Sequence, residues 1–166
     1  RRSAQTMVGD RAPVQPEIQR FRERYFPYQP DIKSFVDALA QRSTPDVVLV
    51  PRLEDRHQDH RVVGELAWQA FRDHLILEYE IAKYEGDLGT PNLYVHLPPS
   101  IVEAKVEHLL QAFPSQAHRP WFDAAAFRAV MRLRGIESNA PSGFAEAFTT
   151  RKVRLTTGMT ETSRPI

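Results

Sequence analysis

A chain of 166 residues has room for one domain with a substantial core, and its 42% apolar content suits a globular protein. Twenty-two basic against 21 acidic residues leave a formal charge of +1, which provides no basic footprint for a polyanion and argues against a nucleic-acid partner. No apolar run approaches the ~20 residues of a membrane span, and the lack of cysteine excludes disulfides and thiolate metal sites while suiting a reducing, cytoplasmic setting.

Arg1 to Met7 opens without an initiator methionine, in what looks like the middle of a helix, and Gly9 to Pro16 reads as a loop. Glu17 to Arg22 is expected to be a strand, broken by Phe26-Pro27-Tyr28-Gln29-Pro30. Asp31 is placed to cap a helix from Ile32 to Gln41, with Phe35, Val36 and Leu39 inward and Ser43-Thr44-Pro45 ending it. Asp46 to Pro51 is short, apolar and β-branched, the pattern of a strand buried on both faces of a parallel sheet. A polar loop follows, and then Val62, Val63, Leu66, Ala67, Ala70 and Phe71 recur at helical spacing, which predicts a helix from His60 to about Asp73.

Leu75 to Ile81 reads as the next strand and Lys83 to Thr90 as a glycine-bearing loop. Asn92 to Leu97 alternates as a further strand, stopped by Pro98 and Pro99. Ser100 with Glu103 matches a capping box heading a helix that carries Ile101, Ala104, Leu109, Leu110 and Phe113. Another helix is expected from Asp123 to Leu133, with Phe127, Val130 and Met131 inward and Gly135 as its C-cap. Phe144 to Leu155 suggests a last strand, and Thr156 to Ile166 a mobile polar tail. Sheet and helix in alternation predict a single α/β domain over 1–155 with a mostly parallel sheet.

The strongest chemical signal is His57-Gln58-Asp59-His60 at the end of the Asp46–Pro51 strand. In open α/β sheets ligands bind at the carboxyl ends of the strands, so this loop sits where such a fold does its chemistry. With Asp59 as N-cap, His60 falls in the first helical turn, where free amides and the helix dipole favour the neutral imidazole that a metal needs. His57 is then a second ligand or points at a substrate held by the metal, and Asp59 a group that orients a histidine. The plainer reading is a polar loop with a capping aspartate and two solvated histidines.

Pro45-Asp46-Val47-Val48-Leu49-Val50 with Asp55-Arg56-His57-Gln58-Asp59-His60-Arg61 resembles the second motif of the PIG-L or LmbE-like family of zinc-dependent N-acetylglucosaminyl deacetylases. Phe21 to Tyr28, Phe71 to His74, Glu78 to Ile81, Lys83 to Leu88, Ser115-Gln116, Arg134-Gly135 and Ala145 to Phe148 look like further landmarks of one bacterial branch. The resemblance implies a Rossmann-like three-layer fold and a metal-dependent amidohydrolase that removes the N-acetyl group of an N-acetylglucosamine-containing or related amino sugar. It implies His60 as a zinc ligand, His57 as the catalytic residue that polarises the amide carbonyl and protonates the leaving amine, and Asp59 as the catalytic carboxylate orienting His57. The family's first motif, His-Pro-Asp-Asp, is absent; Pro30-Asp31 and Pro45-Asp46 lack the preceding histidine. An N-terminal βα portion carrying the other zinc ligands and the general base is therefore expected to be missing, a pseudoenzyme being the alternative.

Four further residues are candidates for substrate binding: Glu23, where this branch more often has an aspartate on a sugar hydroxyl, and Glu78, Glu80 and Arg134. Lys83 and Asp87 are candidates for the same mouth. Against these stand a solvated Glu23, a structural ion pair for Glu78 or Glu80, and an Arg134 that merely complements a helix dipole. His74, His96, His108 and His118 are most simply core or surface histidines. A non-catalytic sugar-binding or scaffold module of the same fold is the competing function, and a homo-oligomer is left open.

Overall fold

The computed structural model describes residues 16–155, so Arg1–Met7, most of the Gly9–Pro16 loop and the Thr156–Ile166 tail lie outside the described residues. The elements run α1 (Pro30–Gln41), β1 (Val47–Pro51), α2 (Gln58–Ala70), β2 (Leu75–Tyr79), β3 (Leu93–His96), α3 (Pro99–Ala112), α4 (Ala124–Glu137) and β4 (Ala145–Thr149). Short 3-10 turns occupy Phe26–Tyr28 and Pro114–Gln116.

The sheet order is β1-β2-β4-β3. β1 and β2, joined through α2, are parallel, from Val47 opposite Leu75 to Pro51 opposite Tyr79. β4 runs antiparallel to both β2 and β3, so the sheet is mixed rather than mostly parallel. In β4 buried Ala145 and Ala147 alternate with half-buried Glu146, so one face of the strand is wetter than the other.

Side chains on β2 alternate between two helical layers. Ile76 packs with Ile32 and Val36 of α1, Val50 of β1, Ala67 of α2 and Phe71 just after that helix. On the other side of the sheet, Val102 and Val106 of α3 meet Met131 of α4, with Leu97, Phe127 and Phe144 against them. The result is a helix–sheet–helix sandwich with β1 at one edge among the described residues. There Val50 is buried but Val47 and Leu49 are 43% and 59% exposed, so β1 is covered on one face only, contrary to the doubly buried strand its composition suggests.

Several element ends differ from expectation. Glu17 to Arg22 is irregular rather than a strand. Phe21 wedges edge-on against Phe26 and Phe35, and Gln29 exchanges two hydrogen bonds with the Arg22 backbone, which bends the segment instead of extending it. α1 starts at Pro30, preset for a first helical position, so Asp31 lies in the first turn and not at the cap. α3 likewise starts at Pro99 behind Pro98, and Ser100 makes no capping bond. α4 keeps its expected N-cap, with Asp123 accepting from the Ala126 N–H at 2.8 Å, but it runs through Gly135 to Glu137. Gly135 is a packing glycine there: a Cβ would collide with the Gly143 carbonyl and the Phe144 backbone as the chain turns into β4.

Candidate active site

β1 ends at Pro51 and delivers the chain into a loop at the carboxyl edge of the parallel pair. Asp55, 4% exposed, is the hub of that loop. Its carboxylate accepts from the His57 N–H at 2.8 Å and lies 3.1 Å from His60 Nδ1 and 3.1 Å from Lys83 Nζ. Lys83 also pairs with Asp87 at 2.6 Å, and Asp87 accepts from the Arg56 N–H at 2.7 Å. Arg52 donates to the Asp87 carbonyl at 2.5 Å. Buried charges persist when paired and hydrogen-bonded, and this network ties the histidine loop to the loop after β2.

The two histidines lie together, ring centroids 4.5 Å apart and 29° from coplanar. His57, not Asp59, is the N-cap of α2: its Nδ1 accepts from the Asp59 N–H at 3.3 Å. A ring whose Nδ1 accepts carries its neutral-form proton on Nε2. His60 follows in the first turn, about one third exposed, with Nδ1 turned to Asp55. The Asp59 carboxylate points elsewhere. It is buried and accepts from the Arg24 N–H at 2.5 Å and the Phe26 N–H at 3.2 Å, holding a turn in which Arg24 takes a left-handed φ of 69°. The carboxylate expected to orient His57 therefore orients a backbone turn. The orienting carboxylate is Asp55, acting on His60, and the sequence reading passed over it although it stands two residues before His57.

Glu23 is exposed on the turn that Asp59 holds. Glu78 is fully buried and accepts from Arg151 Nε at 2.6 Å, Trp68 Nε1 at 2.8 Å and the Leu53 N–H at 3.2 Å, the arrangement of a structural ion pair. Glu80 and Arg134 meet as a two-bond pair at 2.7 and 2.8 Å, and Arg134 also binds Glu137 at 2.7 Å and the Gly89 carbonyl at 3.0 Å. Burial opposes the charge on Arg134, but Glu80 and Glu137 outweigh it and raise the pKa. Burial, reinforced by Asp55, likewise pushes the Tyr79 phenol above its usual value.

His60, Tyr79, Glu80 and Arg134 all line one cavity of about 660 Å³ between the sheet and helices α3 and α4. Its remaining wall is largely aromatic and aliphatic, including Phe113, Trp121, Phe122 and Phe127. Sequence periodicity assigned Phe113 and Phe127 to the inner sides of their helices but had no signal for the space left beside them.

Zinc requires at least three protein ligands. Among the described residues no three His, Cys, Asp or Glu side chains converge on a metal position. Asp55 and Asp87 are engaged by Lys83, and the Nδ1 atoms of His57 and His60 face their own partners, which leaves the two Nε2 atoms. These residues alone do not fit a zinc ion.

No family model matches the chain, and no curated protein sequence matches it. Solved structures do. N,N'-diacetylchitobiose deacetylase from Pyrococcus horikoshii is similar over 78% of this chain and 54% of its own, with 17% identity and a TM-score of 0.61. The conserved protein TT1542 from Thermus thermophilus is similar over 86% and 68%, with 22% identity and a TM-score of 0.59. The 4-carboxy-2-hydroxymuconate hydratase from Pseudomonas putida is similar over 95% and 71%, with 16% identity and a TM-score of 0.59. Similarity at these identities shows the fold. The chain spans about half the length of the deacetylase it matches.

Proposed function

We propose that the chain belongs to a hydrolase that removes the N-acetyl group from an amino-sugar substrate. The observation that carries the reading is the stacked His57–His60 pair at the carboxyl end of β1, clamped by the buried Asp55–Lys83–Asp87 network. A fold shared with a diacetylchitobiose deacetylase supports it, although the same fold in a hydratase means that architecture alone does not select the reaction.

In this reading His57 is the proton donor. Charged to the imidazolium by a proton from solvent, which displaces the Asp59 N–H from Nδ1, it can hand its Nε2 proton to the departing amine nitrogen and return to a neutral ring. His60, with Nδ1 held by Asp55, presents Nε2 as a single metal donor, and a zinc centre here needs at least two further protein ligands. Asp59 supports the site by fixing the turn that bears Glu23, and Glu23 meets a sugar hydroxyl. Glu80 and Arg134 shape the cavity wall, and Glu78 anchors the start of the histidine loop through Leu53.

The lack of a three-ligand cluster among the described residues favours a second reading, a sugar-binding module without turnover. One experiment separates the two. The zinc-supplemented protein is incubated with N,N'-diacetylchitobiose and N-acetylglucosamine, and free amine and acetate are quantified. Equimolar release of both supports the hydrolase; saturable binding of either sugar with no release supports the binding module.

A further inference from the structure

The cavity that His60 lines is built for something other than a sugar ring. At about 660 Å³ it falls in the ~300–1,000 Å³ range of small-molecule sites. Leu109, Phe113, Trp121, Phe122, Phe127 and Met131 form its aromatic and aliphatic side on helices α3 and α4 and the segment between them. Phe122 sits edge-on to Phe113, Trp121 and Phe127, with centroids 6.5, 5.8 and 5.1 Å away, so the aromatic end is a fixed cluster.

The charged groups that reach this space are already spent on one another. Glu80 pairs with Arg134, and Lys105 with Glu146. Beyond His60 at the polar end, that leaves Tyr79, Gln116 and Trp121 as the side chains with a hydrogen-bonding group, too few partners for the hydroxyls of a pyranose. Burying hydroxyls unpaired is costly, whereas apolar surface gains from leaving water. A saccharide is thus favoured at the polar histidine end and excluded from the chamber beyond it.

We infer that the substrate carries an apolar substituent, an alkyl or acyl chain or an aromatic group, which occupies the chamber between the sheet and helices α3 and α4 while the acylated nitrogen lies at His57 and His60. The inference rests on the proposed hydrolase reading for the identity of the polar end. Its central claim, an apolar subsite continuous with His60, is read out by binding without turnover. The substituent has two sources: the aglycone of the sugar, or the acyl group on its nitrogen.

The test is calorimetric titration of the full chain with two ladders, each kept below its micellar concentration. One is methyl, butyl and octyl N-acetyl-β-D-glucosaminide; the other is N-acetyl, N-butanoyl and N-octanoyl glucosamine. Burial predicts about fourfold tighter binding per methylene enclosed, hence at least ~100-fold between methyl and octyl in the ladder that reaches the chamber. A gain confined to the glycoside ladder assigns the chamber to the aglycone, and one confined to the amide ladder assigns it to the acyl group. Val130→Trp and Leu109→Trp each fill the chamber from a different helix, and either should flatten the ladder while leaving the shortest member's affinity unchanged. Equal affinity along both ladders overturns the inference, as does a gain that survives both substitutions. Amine release with equal affinity along both ladders would sink this inference and leave the hydrolase reading standing; a steep ladder with no amine release would do the reverse.

Discussion

Asp55→Asn is the sharpest perturbation of the site, because one buried carboxylate holds the His57 backbone, the His60 ring and the Lys83 ammonium. The amide nearly preserves size and keeps one oxygen to accept from the His57 N–H. It loses the charge and turns an NH₂ donor towards both His60 and Lys83, which share the other carboxylate oxygen. Hydrogen bonds to charged groups are worth about 1.5–3 kcal/mol and neutral ones about 0.5–1.5, so weakening the Lys83 contact costs about 1–2 kcal/mol. The misplaced donor adds to this, but Lys83 retains Asp87, which limits the total to about 2 kcal/mol. For a chain of this size that lowers Tm by roughly 4–8 °C. The assay is thermal unfolding by circular dichroism at pH 7, with exposed Glu65→Gln as the control expected to stay within about 0.5 kcal/mol of wild type. An Asp55→Asn protein that melts with wild type would refute the hub, since no buried charge can lose its counter-ion without cost.

Gly135→Ala forces a Cβ into the Gly143 carbonyl, and we expect a loss of about 3 kcal/mol or more in urea unfolding; wild-type stability would show that the turn into β4 is free to move. Glu78→Ala leaves the Trp68 N–H without its partner and Arg151 with Glu54 alone, and a buried pair broken on one side costs about 3 kcal/mol, read as a lower urea midpoint. A midpoint unchanged by Glu78→Ala would return Glu78 to the candidate substrate contacts. Burial raises the Asp87 pKa, but the Lys83 hydrogen bond and the Arg56 N–H outweigh it and leave the carboxyl below its ordinary value. A depressed folded pKa stabilises above the unfolded value and loses that stabilisation as pH falls through the folded one, so Tm should decline below about pH 4. Asp87→Asn should be less stable at pH 7 and show a shallower acid decline; an identical decline in both proteins would remove Asp87 from the account.

The sequence was most legible where local pattern and packing agree. The apolar run before the His57–His60 loop and the helical period after it located the β1–α2 unit to within about three residues, because strand, loop and helix each carry their own signature. Paired side chains were less visible. Glu78 and Glu80 alternate along one strand, but nothing local shows that Arg151 and Arg134, from distant segments, neutralise them. Asp55 escaped notice for the same reason, as its third partner, Lys83, arrives from the loop after β2. Asp59 was misplaced as the cap because a cap signal does not distinguish residues one or two positions apart: His57 took the cap and left the carboxylate for the Arg24 turn. Strand direction was the largest error, since β4 reverses after the Gly143 turn at φ 77°, and short strand segments do not announce their orientation.

The central claim is that His57 serves the chemistry besides capping α2, and turnover with sugar affinity on the same samples tests it most directly. Wild type and His57→Ala are assayed for acetate release from N,N'-diacetylchitobiose, each sample's affinity for the sugar being measured alongside. Loss of a general acid typically costs ~10²–10⁴-fold, so His57→Ala should fall by at least ~100-fold in turnover while still binding the sugar. If His57→Ala turns over at the wild-type rate, the assignment of its role is wrong.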